Sequence, residues 1–113
     1  GGYIGMEMAD NLIHIGMEVE IVEAMQQILP NINSEFAKKI QQQAEEKGAK
    51  FHLGKTVISI KDNGEKYYVE LESKEHLEAE LIIFSIGIKP NVEIFANSGL
   101  EFGERGAIDV DEH

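Results

Sequence analysis

Two glycines and one acid are the residues of this 113-residue chain whose types and spacing suggest chemistry. Gly2-Tyr3-Ile4-Gly5 opens a helical pattern, a short apolar strand follows at 19–22, and Glu23 ends that strand. The order G-x-x-G, helix, strand, acid is the back half of a dinucleotide-binding unit. A glycine at a helix start lets the backbone approach a pyrophosphate, which the free N–H groups and the positive end of the helix dipole then hold. Gly2 is placed for that approach, and Gly5 for tight helix–strand packing. The carboxylate of Glu23 is placed to accept from the adenosine ribose hydroxyls and to repel a 2′-phosphate. No Lys or Arg lies between Glu23 and Lys38, so NAD(H) is expected over NADP(H). Alone, G-x-x-G is a plain helix-start turn and a strand-end glutamate a plain solvated carboxylate. The expectation rests on finding both in this order.

The elements that must position these groups are legible along the chain. Ile4, Met8, Leu12 and Ile15 form an i, i+4, i+8 stripe on the first helix, with Gly16 as the residue that ends it. Asn33 or Ser34 caps a second helix that buries Phe36, Ile40 and Ala44 and closes at Lys47-Gly48, a cation in its last turn. Phe51 and Leu53 mark a short strand. Residues 56–61 and 66–72, joined through Asp62-Asn63-Gly64, read as a hairpin with Tyr67, Val69 and Leu71 on one face. A third strand near 77–79 completes a meander. Residues 81–85 read as a buried parallel strand, Asn91 caps a short helix at 92–97, and 107–110 form a last strand. Met6, Met8 and Met17 read as core filling. The acidic run Glu70, Glu72, Glu75, Glu78 and Glu80 reads as a solvated face.

Composition sets bounds. A hydrophobic content of 42% supports a core and one domain spanning 1–113. With no cysteine, a disulfide framework, a zinc–thiolate site and a thiol nucleophile are excluded within this chain. A net charge of −11, with Arg105 the single arginine, argues against nucleic acid and anionic membranes as partners. The longest apolar run, 81–86, is too short for a bilayer. No signal-peptide pattern opens the chain, and a cytoplasmic location is expected. His14, His52, His76 and His113 have no ligand-like spacing, so no metal is expected.

Four segments together carry a family resemblance. Gly1-Gly2-Tyr3-Ile4-Gly5-Met6-Glu7 resembles the nicotinamide-binding turn of the FAD-dependent pyridine nucleotide-disulfide oxidoreductases, and Ile21-Val22-Glu23 their ribose-binding strand end. Ile86-Gly87-Ile88-Lys89-Pro90-Asn91 is similar to their second glycine turn. Gly103-Glu104-Arg105-Gly106-Ala107-Ile108 resembles the segment that leads back to the FAD domain. The wording is nearest the NADH oxidase and coenzyme A-disulfide reductase branch. The resemblance implies an α/β fold: a Rossmann-like parallel sheet with an inserted antiparallel β-meander. The first strand and first motif glycine are absent from the sequence. That strand would lie between 19–22 and 81–85, and its neighbours would present edges that recruit another strand, one from a second copy included.

The resemblance also implies roles. The function would be NADH binding in a flavoprotein oxidoreductase, nicotinamide passing hydride to FAD bound outside this chain, on another domain of the same polypeptide. The alternative is a stand-alone nucleotide-sensing module. Tyr3, beside Ile4, either packs on neighbouring loops or is the movable lid over the nicotinamide. Glu7, on the first helical turn, either complements the dipole or bonds the carboxamide. Gly87 makes a tight turn, a cofactor contact, or both. Val57, after the third parallel strand, is core or lines the adenine. No residue is assigned as nucleophile or general acid.

Overall fold

The computed structural model describes residues 1–103 and 106–111. Helix α1 (Tyr3–His14) leads to strand β1 (Glu20–Glu23), helix α2 (Ser34–Glu46) and strand β2 (Lys50–Leu53). Strands β3 (Val57–Asp62), β4 (Tyr67–Leu71) and β5 (His76–Ala79) follow, then a 3-10 turn at Glu93–Phe95. Among the described residues β1 and β2 pair in parallel, and β3-β4-β5 form an antiparallel meander. This is the α/β arrangement expected, a parallel unit followed by an inserted meander.

Local chemistry sets the helix ends. Asn33 Oδ1 accepts from Glu35 N at 2.9 Å, capping α2. Gly16 (φ +89°) and Gly48 (φ +106°) take the left-handed conformation that closes α1 and α2. The bonds Met17 N to Leu12 O (3.0 Å) and Ala49 N to Ala44 O (2.9 Å) complete the two caps. Lys47 is the cap residue of α2 rather than part of its last turn. Its ammonium reaches Asp10 Oδ1 at 2.7 Å and ties the two helices together.

The core of the helix–sheet unit combines alanines with larger apolar residues. Met6, Ile28 and Ala37 form one buried cluster, and Ala9, Ile21 and Ala49 a second, with Ala44 and Phe51 packed against both. This corrects the expected helix faces. On α1 the buried side is Met6, Ala9 and Ile13, while Ile4, Met8 and Ile15 are exposed. Apolar residues cover both arcs of the helix, and the short Ala9 admits the sheet. On α2, Phe36 is 63% exposed, Ile40 also stands largely open, and the neighbouring Ala37 is the buried residue. Of the methionines expected in the core, Met6 is buried but Met8 and Met17 are exposed.

The hairpin stands as expected, with Asp62 opposite Tyr67 and the loop residue Asn63 accepting through Oδ1 from Glu65 N and Lys66 N. Val69 and Leu71 are buried under it. The acidic face is solvated and partly paired, with Ser59 Oγ donating to Glu70 and Lys66 meeting Glu78.

Three elements differ from expectation. Residues 81–85 are not a strand, and Leu81, Ile83 and Phe84 are exposed. A strand needs a neighbour, and among the described residues β1 pairs only with β2, so 81–85 has no ladder to join. The helix at 92–97 is reduced to the 3-10 turn, whose cap residue is Val92 rather than Asn91, with no side-chain cap bond. The last strand is a single antiparallel bridge, Phe102 to Ile108. Glu104, Arg105 and His113 lie outside the described residues. Among those described, no helix is long and apolar enough to cross a membrane.

On the outer face of the parallel pair, His52 Nε2 lies 2.8 Å from Glu20 Oε2 and Lys50 Nζ lies 3.2 Å from Glu20 Oε1. A carboxylate only accepts, so Nε2 carries the proton. The His52 hydrogen bond, opposed by partial burial and aided by Lys50, holds the Glu20 carboxyl below its ordinary 4.5. A carboxylate depressed on folding stabilises above its unfolded value, and that contribution is lost as pH falls through the folded value. Glu20→Gln is therefore expected to cost stability at neutral pH, the difference vanishing in strong acid. Urea melts across pH check this, and a difference that persists in acid refutes it. Packing gives a second expectation. Ile28→Ala should cost about 2–5 kcal/mol, whereas the exposed Phe36→Ala should fall within roughly 0.5 kcal/mol of the parent. Denaturant midpoints decide whether Phe36 or Ala37 faces the core.

Candidate dinucleotide-binding site

The site starts at the N-terminus of α1. Gly2 is the cap residue, extended at φ −75° and ψ −179°, and no side chain caps the helix. The first intrahelical bond runs from Met6 N to Gly2 O at 2.9 Å, so the N–H groups of Tyr3, Ile4 and Gly5 have no helical acceptor. A Cβ added at Gly2 would meet nothing within 4 Å, so a side chain there would enter open space. At Gly5 an added Cβ would lie 3.4 Å from Ser85 Cβ and Oγ, so Ser85 packs against the start of the helix.

Glu23 closes the other side. It ends β1 opposite Leu53, at the carboxyl edge of the parallel pair, and its side chain is 17% exposed. Oε1 accepts from Met25 N at 2.9 Å, and Oε2 lies 3.1 Å from the Gly1 nitrogen. Burial pushes this carboxyl up, while the Met25 N–H, the Gly1 nitrogen and the Ala24 N–H favour its ionised form. Glu23 is thus a fixed anion at neutral pH.

The surrounding loops are stitched by backbone bonds. Leu29 N donates to Gly1 O at 2.8 Å, Gly54 N to Met25 O at 2.9 Å, and Lys55 N to Glu23 O at 3.1 Å. Ile28, fully buried, anchors the loop after β1. Two participants escaped the sequence reading. Gly1 packs so tightly on Glu23 that an added Cβ would lie 2.7 Å from Oε2. A glycine beside a glycine motif was the available signal. Lys55 is remote in sequence, and only the β1–β2 pairing brings it beside Glu23. Sequence order carried no sign of it.

The remaining expected residues are distributed around this centre. Tyr3 is 75% exposed. Tyr3 and Glu7 border a cleft between α1 and α2 that Leu29, Ile40 and Lys47 also line. Glu7 falls one residue beyond the first turn of α1, not on it. Ile4 is exposed. Val57 is the first residue of β3, partly exposed opposite Leu71, beside an irregularity in register. Gly87 has φ +119° and open space around it, between the exposed Ile86 and Ile88. The structure packs Gly1 on Glu23, directly before Gly2 and the start of α1, sets Gly5 against Ser85, and leaves the Cβ position of Gly87 open. Among the described residues no three His, Asp or Glu gather as a metal would require.

Known proteins share this fold. Dihydrolipoyl dehydrogenase of Corynebacterium glutamicum is 34% identical over 99% of this chain and 25% of its own length. The chain spans about a quarter of the curated relatives it matches. Reduced CoADR-RHD of Bacillus anthracis superposes with a TM-score of 0.90 at 32% identity, covering 99% of this chain and 20% of that one. The NADH-bound water-forming NADH oxidase of Lactobacillus brevis gives 0.88 at 29% identity over 97% and 24%. An engineered NADPH-bound form of that oxidase, with five substitutions, also gives 0.88, at 25% identity over 97% and 25%. The family model of pyridine nucleotide-disulphide oxidoreductases matches residues 1–113, and the chain belongs to that family.

Proposed function

We propose that this chain is the NADH-binding domain of a flavoprotein oxidoreductase, positioning nicotinamide for hydride transfer to an FAD carried by another domain of the same polypeptide. The observation that carries the proposal is the pairing of an ionised, anchored Glu23 with the open, uncapped start of α1. A dinucleotide fits these residues, because no side chain caps the N–H groups at the start of α1 and Glu23 keeps acceptor lone pairs beyond those Gly1 and Met25 use. In this reading the N–H groups of Tyr3, Ile4 and Gly5 hold the pyrophosphate and Glu23 takes the ribose hydroxyls. Tyr3 and Glu7 serve the nicotinamide end, Gly87 approaches the cofactor through its backbone, and Val57 lines the adenine. The nicotinamide, when bound, supplies the redox chemistry, and the chain supplies position and charge.

The two forms of the oxidase support the preference for NADH. In the engineered form a glycine becomes alanine. Eighteen residues on, aspartate, alanine and methionine become alanine, arginine and serine, and a proline five further becomes arginine. This chain has Gly5, then Glu23-Ala24-Met25 and Pro30 at the same intervals, glutamate standing for aspartate. Ala24, Met25 and Pro30 are exposed, with room for longer side chains.

NADH should accordingly bind the native polypeptide more tightly than NADPH. Glu23→Ala should narrow the gap by roughly 1–3 kcal/mol, and adding Ala24→Arg with Pro30→Arg should carry the preference to NADPH. Equal affinities for the two nucleotides in the unaltered protein, measured by titration, would refute the assignment. Residues 1–113 on their own, purified free of flavin, should not oxidise NADH in the presence of oxygen or a disulfide. Loss of nicotinamide absorbance above the buffer rate would contradict this.

A further inference from the structure

The loop after β2 holds a cation that the ribose site does not use. Lys55 N bonds Glu23 O at 3.1 Å, so the residue sits directly beside the strand end that carries the acid. Its ammonium pairs with Glu75 in the turn before β5, not with the Glu23 carboxylate. Glu75 is itself steadied, because Ser73 Oγ donates to its Oε2 at 2.7 Å. The Lys55 contact, then the Ser73 hydroxyl, hold its carboxyl below the ordinary range. The Lys55 side chain is 29% exposed, on a flexible four-carbon stem. An exposed pair of this kind is weak, yet an incoming anion must break it before it gains the ammonium.

We propose that Glu75 is a specificity-determining residue: by holding Lys55 against the meander it withholds a cation from the adenosine ribose, so a 2′-phosphate is rejected through this absent partner as well as through Glu23. The inference rests on Glu23 being the ribose acid. It adds a second control on cofactor choice, located on the meander and more than fifty residues away in sequence. A phosphate monoester carries close to two charges at neutral pH and accepts strong hydrogen bonds from an ammonium. A Lys55 freed from Glu75 would therefore favour the 2′-phosphorylated nucleotide, and the pair with Glu75 opposes that gain.

The test uses the native polypeptide that contains residues 1–113, with dissociation constants for NADH and NADPH at low and high salt. Glu75→Gln is expected to tighten NADPH by roughly threefold to tenfold at low salt and to leave NADH within twofold. Adding Lys55→Met should abolish the gain, and raising salt should shrink it. Glu75→Ala guards against a residual amide–ammonium bond, and a melt confirms that the variants fold. An unchanged NADPH affinity in both Glu75 variants, or a gain that survives Lys55→Met, overturns the proposal while leaving Glu23 in its role. A Glu23→Ala variant with an unaltered NADH/NADPH ratio overturns the reading of Glu23, and this inference with it.

Discussion

A charged carboxylate at the end of an apolar strand is costly unless donors reach it, and the site depends on those donors reaching Glu23. Its anchors are all backbone: the Met25 and Ala24 N–H groups and the Gly1 nitrogen. Each is held in place by something further out. Gly1 is fixed by the bond from Leu29, and Leu29 follows the buried Ile28. Met25 is fixed through its carbonyl by Gly54 on the neighbouring strand's loop. The anion is thus held through the core cluster of Met6, Ile28 and Ala37 and through the β1–β2 ladder. Packing far from any ligand decides the direction of one carboxylate.

Small residues make that packing possible. Ala9, Ala37 and Ala49 are among the most buried side chains, and they lie where helix and sheet approach. Larger apolar groups are displaced to the flanks, where Ile4, Met8, Ile15 and Phe36 meet solvent. Many more exposed apolar residues lie along 81–95.

What was legible in the sequence was local. Asn33, Gly16, Gly48 and Asn63-Gly64 act through bonds to residues a few positions away, so caps and hairpin were readable from type and spacing alone. The G-x-x-G turn and Glu23 were readable for the same reason. The faces of α1 were not, because two apolar arcs compete and only the partner's shape selects Met6 and Ala9 over Ile4 and Met8. A stretch such as 81–85 has strand composition, yet a strand is a relation between two segments, and composition describes one. Lys55 and Gly1 became parts of the site through contacts made across the sheet, which spacing along the chain does not encode.

The pairing pattern also bears on how the chain reaches this structure. Within the meander, Asp62 meets Tyr67 across a short loop, whereas Glu20 meets Lys50 only after the whole of α2 has intervened. Closing the longer loop costs more entropy before any contact returns it, and non-local parallel pairs form late. On loop length alone the meander is expected to pair before the β1–β2 ladder. The edge that carries Glu23 belongs to the pair with the longer loop to close. A substitution that weakens the β1–β2 ladder would act first on the speed with which a binding-competent chain emerges, before it altered any contact to a ligand.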